Sequence, residues 1–240
     1  MEQLLRITAN SSIFVLTGAG ISKESGVNTF RDQGGLWENH RIDEVASPEG
    51  FRKNPALVYD FYNKRRKELN SGIKPNMGHY GLIELEKTFK INIITQNIDN
   101  LHEKAGSSSI IHMHGELNKA RCIKNEHIHS WTEDLNEIHK CSICGSQLRP
   151  HIVWFGEIPL QMDEIHAIAL ESSLFVSIGT SGEVYPAAGY VNLFKEMKKT
   201  TVELNLEPSS NKDLFDFAIY KPATIAVEEF KNKLLNIINK

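Results

Sequence analysis

Five groups of residues in this chain have types and spacings that can do chemistry. The first lies in the stretch 17–37, TGAGISKESGVNTFRDQGGLW, which crowds Gly18, Gly20, Gly26, Gly34 and Gly35 around Arg31 and Asp32. Glycine lets a backbone pass close to a neighbour. A strand, a glycine turn and a helix start in that order present free N–H groups to an anion such as a pyrophosphate. The third glycine arrives too late for G-x-G-x-x-G, so the stretch points to a nucleotide and leaves its extra polar loop to be explained. The second group is Gln96-Asn97-Ile98-Asp99, where two amides and a carboxylate follow an apolar run. The third is His112 and His114 in HMHGEL. A neutral imidazole suits a general base at physiological pH, although a lone histidine is more often structural. Fourth, Tyr62 and Arg65 stand three apart in FYNKRR, on one face of a helix. An Arg–Tyr pair can grip a carboxylate, whereas a run such as KRRK taken alone is more often a solvated helix face. The fifth is Cys141-Ser142-Ile143-Cys144 with Cys122 upstream, an odd total of three cysteines. In a chain without a secretory signal that pattern marks metal or redox chemistry more often than a structural disulfide.

The elements that must hold these groups follow from the apolar pattern. Four short apolar runs, at 13–16, 91–95, 174–178 and 201–204, each end in polar residues: Thr17-Gly18, Gln96 to Asp99, Gly179-Thr180-Ser181 and Asn205-Leu206-Glu207. Helical spacing lies between them near 78–89 and 187–199, and again at Val227, Phe230, Leu234 and Ile237. Strands alternating with helices predict an α/β fold, a Rossmann-like doubly wound parallel sheet whose ligands sit outside the carboxyl ends of the strands. All four polar tips are therefore expected to face one crevice. The interval 112–151 breaks the rhythm, with six of the ten histidines and all three cysteines, and reads as a small inserted module. The expected division is 1–111 with 152–240 as the nucleotide-binding domain, 112–151 as the insert, and a helical segment at about 38–75 that forms part of the pocket. Charged residues make up 24% and the formal net charge is −3, which argues against nucleic acid or an anionic membrane as main partner. No apolar run approaches the ~18–20 residues of a membrane span, and MEQLLRITANSS has no secretory pattern, so a cytoplasmic, monomeric protein is expected.

Six stretches, TGAGISKESGVNTFRD, TQNIDNLH, HMHGEL, LRPHIVWFGE, GTSGEVYPA and ELNLEPS, occur in this order. Together they resemble the sirtuin family of NAD-dependent protein lysine deacylases, over roughly residues 13–233. The likeness is closest to the bacterial CobB-like members and the animal members with desuccinylase activity. The resemblance implies that NAD is a consumed co-substrate. Gly18, Ala19, Gly20 and Ser22 would hold its diphosphate side, with Phe30, Arg31, Asp32 and Trp37 around the ribose and nicotinamide. Gln96, Asn97, Ile98 and Asp99 would serve the ribose and carboxamide, and Gly179, Thr180, Ser181, Asn205, Leu206, Glu207 and Ala223 the rest of the dinucleotide. The extra polar loop would cover the nicotinamide end while its bond breaks.

In the implied mechanism the acyl oxygen of a modified lysine attacks C1′ of the nicotinamide ribose. His114 then draws a proton from a ribose hydroxyl, Asn97 positions the ribose or a water, and 2′-O-acyl-ADP-ribose and free lysine result. His112 is the main competitor for the base. Residues 151–157 would pair with the substrate peptide as an added strand, and Val153 and Phe155 would line the acyl-lysine tunnel. Ala46 would widen the pocket so that Tyr62 and Arg65 read an acidic acyl group. The partners implied are acyl-lysine proteins and NAD.

The family commonly holds a structural zinc with two C-x-x-C pairs. Here Cys122, Cys141 and Cys144 are present, but Asn125 stands where a fourth cysteine is usual, so either His127, His129, His139 or a water would complete the site, or zinc would be weakly held or absent. Two other functions compete: an NAD glycohydrolase or ADP-ribosyltransferase, and a non-catalytic NAD-sensing module. A hydride-transferring dehydrogenase is disfavoured by the glycine spacing.

Overall fold

A computed structural model of the chain describes residues 7–27 and 40–238, and the backbone of 36–37. In chain order the elements are β1 (Ser12–Thr17), α1 (Gly20–Lys23), β2 (Leu36–Trp37), β3 (His40–Arg41), α2 (Ile42–Val45), α3 (Pro48–Lys53), α4 (Pro55–Asn70) and α5 (Met77–Glu86). Then come β4 (Lys90–Thr95), α6 (Leu101–Ala105), β5 (Ile110–His112), β6 (Gly115–Cys122), β7 (Ile128–Ser130), β8 (Leu148–Ile152) and α7 (Met162–Glu171). The chain ends with β9 (Leu174–Ile178), α8 (Tyr190–Glu196), β10 (Thr200–Asn205), β11 (Phe217–Tyr220) and α9 (Ala223–Ile238).

Six strands form one sheet in the order β11-β10-β9-β1-β4-β5, and every pairing in it is parallel. The chain winds outward from β1 through β4 to β5, then returns to the other side of β1 through β9, β10 and β11. The reversal falls between β1 and β9, which is where open sheets of this kind leave a crevice. Side chains alternate across the sheet. Ile13 and Val15 join Leu82 and Leu85 of α5 and Val227, Phe230 and Leu234 of α9. Phe14 and Leu16 enter the opposite core with Ile165 of α7 and Tyr190 and Phe194 of α8. Burial on both faces explains why these strands read as continuous apolar runs. Each such side chain contributes roughly 1.5–3 kcal/mol when fully buried.

A third core joins α2–α4 to the small antiparallel sheet β7-β6-β8, through Val45, Phe51, Val58, Leu117, Leu148 and Trp154 among others. Helix α4 opens with Asn54, whose side chain accepts the Leu57 N–H, followed by Pro55 at the first turn, and it buries Val58, Tyr62, Arg65 and Leu69 along one stripe. The helical segment and the small sheet are thus one packed unit over the carboxyl edge of the main sheet. Pairing places the limits of the small sheet at Gly115 and Ile152, which face one another, whereas His112 pairs with Thr95 in the main sheet. The sequence boundary at 112 came from where histidines and cysteines cluster, and β5 simply runs on into that cluster. No described helix is long and apolar enough to cross a membrane.

Candidate functional site

All four polar tips reach one cavity of about 1160 Å³ bounded by the described residues. Gly18, Ala19 and Gly20 form one part of its wall; Gln96 to Asp99, Gly179 to Ser181 and Asn205 to Glu207 form the others. The glycines owe their identity first to each other. A Cβ on Gly20 would stand 2.6 Å from the Gly179 Cα, and one on Gly18 would stand 2.7 Å from the Gly179 carbonyl oxygen. Gly20 N–H donates to that same oxygen at 3.0 Å, and Gly18 N–H to the Ile178 oxygen at 2.9 Å. The tips of β1 and β9 therefore lock together at the switch point, a contact no sequence pattern displays. The helix they open, α1, is a single turn, shorter than the nucleotide-binding pattern leads one to expect.

Beneath the glycine turn lies a closed polar network. Asn97 Nδ2 donates to the Gly18 carbonyl at 3.0 Å and to Ser22 Oγ at 3.2 Å, and the Ser22 hydroxyl donates to Asp99 at 2.9 Å. The other Asp99 oxygen accepts the Leu101 N–H at 3.0 Å, so Asp99 also caps the start of α6. Burial raises the Asp99 pKa, with the two hydrogen bonds opposing it. Ser22 is fully buried and absent from the cavity wall, and its hydroxyl links Asn97 to Asp99 beneath the loop. Ala223 is likewise part of the main core, packed with α5 and α9, and does not reach the cavity. Phe30, Arg31 and Asp32 lie outside the described residues, as does the side chain of Trp37.

The two histidines separate cleanly. His112 Nδ1 meets the Asn97 carbonyl at 3.1 Å and its Nε2 meets Glu103 at 2.6 Å. Both partners are acceptors, so both ring nitrogens donate. Burial works against that charge, but Glu103 and the Asn97 carbonyl outweigh it and raise the His112 pKa. A doubly protonated ring has no lone pair to offer. His114 lies on the cavity wall, in the turn between β5 and β6. Its Nδ1 is 3.1 Å from the Gln96 carbonyl and must donate to it, which leaves Nε2 as the basic nitrogen of a neutral ring. Burial lowers the His114 pKa below its usual 6.5, with the Gln96 carbonyl partly opposing. Of the two rings, His114 is the one that keeps a nitrogen lone pair.

At the other end of the cavity stand Ala46, Tyr62, Arg65, Val153 and Phe155. Tyr62 and Arg65 are both buried, and Arg65 lies over the Phe61 ring at 4.5 Å. Burial raises the Tyr62 phenol well above its ordinary value, so it stays protonated. The KRRK run is not a uniformly solvated face. Lys64 and Lys67 pair with Asp60 and Asp134 at the surface, while buried Arg66 donates to the Leu117 carbonyl at 2.7 Å and to Asn63 at 2.8 Å. Strand β8 ends at Ile152, so the expected peptide-pairing strand through 157 is shorter in the structure. The N–H groups of Val153, Trp154 and Phe155 are already donated, to the His114 carbonyl, Glu157 and the Ala46 carbonyl at 2.9, 2.9 and 3.0 Å. The Trp154 carbonyl in turn accepts the Glu157 N–H at 2.9 Å, which closes a turn after β8. Phe155 is half exposed at the mouth.

Cys122, His127, Cys141 and Cys144 offer ligand atoms that all lie within 4.8 Å of one another. Three thiols and one imidazole match the S₃N donor set of a tetrahedral structural zinc site. Hydrogen bonds from the Ser146 backbone and side chain pull the Cys144 thiol down to about 5, toward the thiolate that metal binding needs. His129 Nε2 also stands 3.4 Å from Cys141 but falls outside that group of four. His139 is turned away, with Nδ1 accepting the Asn136 N–H and its ring edge-on to Trp131. In this group His127, two residues beyond Asn125, is the fourth member. The residue spacing alone could not choose among the histidines.

The family model described as the Sir2 family matches residues 18–186. The chain is 54% identical over 234 residues to the NAD-dependent protein deacylase of Pasteurella multocida, covering 95% of this chain and 100% of that protein. A solved Sir2 homologue–NAD complex superimposes with a TM-score of 0.87 at 34% identity, over 98% of this chain and 94% of that one. A Sir2–p53 peptide–NAD⁺ complex does so with a TM-score of 0.77 at 28% identity, over 97% and 95%.

Proposed function

Because the chain belongs to the Sir2 family, we propose that it is an NAD-dependent protein lysine deacylase that removes acetyl and succinyl groups, giving nicotinamide, free lysine and 2′-O-acyl-ADP-ribose. One observation carries this reading. The four strand tips, His114 and the Tyr62–Arg65 pair all line the same cavity, which supports roles for them in holding a dinucleotide, acting as base and reading the acyl group. The sequence identity to named deacylases and the NAD and peptide complexes of the solved relatives support it.

In the proposed reaction NAD lies across the carboxyl ends of β1, β4, β9 and β10, with its nicotinamide end toward Gln96 and Asn97. The acyl oxygen of the modified lysine displaces nicotinamide from C1′ of the ribose. His114 Nε2 takes a proton from a ribose hydroxyl, whose oxygen then attacks the acyl carbon; the acyl C–N bond breaks, the lysine amine leaves with a proton, and a water is consumed to leave 2′-O-acyl-ADP-ribose. Gln96 assists through its backbone, since its carbonyl holds the His114 tautomer. Asn97 keeps the glycine turn in register through Nδ2 while its amide borders the ribose space. Incubating the protein with NAD and matched acetyl- and succinyl-lysine peptides should release nicotinamide and deacylated peptide in equal amounts. Nicotinamide released without peptide would support the glycohydrolase reading instead.

Zinc, held by Cys122, His127, Cys141 and Cys144, would tie the loops of the small sheet together without entering the reaction. Elemental analysis should find about one zinc per chain, as expected for a closed four-ligand site. The cobalt-substituted protein should show the thiolate charge-transfer and tetrahedral d–d bands of an S₃N set. His127→Ala should loosen the metal and change those bands, His127→Cys should retain it, and His129→Ala should leave both unchanged. Full retention with unaltered bands in His127→Ala would remove the histidine from the ligand set.

A further inference from the structure

Trp154 has a buried hydrogen bond that the reaction scheme does not use. Its indole Nε1 stands 3.0 Å from the Tyr62 hydroxyl oxygen, and the two side chains are 2% and 0% exposed. An indole N–H can only donate, so the phenol oxygen must be the acceptor in this pair. Its single proton cannot point back at the indole, and it stays a donor directed elsewhere. Tyr62 is on the cavity wall beside Arg65. From this geometry we infer that Trp154 is a positioning residue for acyl choice: its N–H holds the Tyr62 oxygen so that the hydroxyl proton serves a terminal carboxylate on the bound acyl group. The inference rests on the reading of Tyr62 and Arg65 as the acidic-acyl pair.

The ring that does this is itself tightly held. The Arg149 guanidinium lies 3.9 Å from the centre of the Trp154 ring, and the Trp154 backbone N–H donates to Glu157 at 2.9 Å. Arg149 reaches both Glu157 oxygens at 2.7 Å, and Arg121 reaches them at 3.1 and 3.0 Å. One carboxylate thus gathers two guanidinium groups and the backbone of Trp154, and Phe51 packs against the same ring at 5.2 Å. A satisfied buried network of this kind gives a donor a fixed direction. Without the N–H, the Tyr62 oxygen would lose this anchor, and the acyl carboxylate would meet a less consistently aimed donor. Acetyl-lysine, with no terminal carboxylate, would not register the difference.

The test measures kcat/KM on matched succinyl- and acetyl-lysine peptides for the full-length wild type, Trp154→Phe, Tyr62→Phe, the double variant and Arg65→Met. Trp154→Phe should lower the succinyl-to-acetyl ratio of kcat/KM by about five- to tenfold, the worth of one neutral hydrogen bond, chiefly through KM for the succinyl peptide. In the Tyr62→Phe background the same change should have no further effect on the ratio, because the two residues act as a unit. An equal fall on both peptides would make Trp154 a packing residue and overturn the inference. So would a loss of the same size in the Tyr62→Phe background. An altered ratio in Arg65→Met with an unaltered one in Trp154→Phe overturns this inference alone. An unaltered ratio in Arg65→Met overturns the acidic-acyl reading and this inference with it. Should the phenylalanine variant fail to fold, benzothienylalanine at position 154, which puts sulfur in place of N–H at nearly constant shape, gives the same readout.

Discussion

Replacing His114 with alanine is expected to cut kcat/KM for deacylation by about 10²–10⁴, the usual worth of a positioned general base, while the protein stays folded and still binds NAD. The side chain supports no core: it sits in a turn on the cavity wall, and its one described hydrogen bond goes to the Gln96 carbonyl. The base must be neutral to act. Burial depresses its pKa below 6.5, so the neutral form persists into mildly acidic solution. The acid limb of the wild-type kcat/KM profile should therefore fall below pH 6.5, with activity full above it and lost as pH drops through the depressed value. That limb should vanish in His114→Ala. His112→Gln offers the contrast. Its ring is held protonated between Glu103 and the Asn97 carbonyl, so losing it should loosen the 96–99 loop and raise KM for NAD without removing the limb. A limb that survives in His114→Ala and disappears in His112→Gln would exchange their roles.

The parts of this molecule that were legible in sequence are those set by local periodicity. Strand runs such as 13–16 and, Ser177 apart, 174–178 are apolar because helices cover both faces of the sheet, and that burial is written into each run separately. Their polar ends then had to converge once the strands were parallel. What could not be read is whatever depends on which loop meets which. Gly18 and Gly20 look like ligand glycines, yet their first constraint is the Gly179 backbone, 159 residues away from Gly20 in the chain. Ser22 and Ala223 carry no sign in their own types that they turn inward. Arg66 reads as one more exposed base in KRRK, but the Leu117 carbonyl and Asn63 give its buried guanidinium partners. That His127 gathers with the three cysteines depends on the turn between β6 and β7, which brings its Nδ1 to 3.4 Å from Cys141 Sγ.

Arg65→Met should reduce desuccinylation by about 10²-fold, or roughly 2–3 kcal/mol at 1.4 kcal/mol per decade, and change deacetylation little. A succinyl group brings a carboxylate into a space walled by Ala46, Val153 and the Tyr62 ring, all removed from bulk water to some degree. Burying that charge without a partner costs several kcal/mol, so the cavity should exclude it unless a cation is already there. Arg65 supplies one that burial cannot neutralise, since a guanidinium stays charged, and its planar fork matches a carboxylate with two donors. The guanidinium lies over the Phe61 ring, which fixes its plane before any substrate arrives and so limits the ordering cost on binding. Methionine fills similar volume and preserves the apolar stem, which separates loss of charge from loss of packing. The comparison of kcat/KM on the two peptides decides the matter. Equal losses would make Arg65 a support of the α4 core, and a ratio that does not move would place the acidic acyl group beyond the reach of this residue.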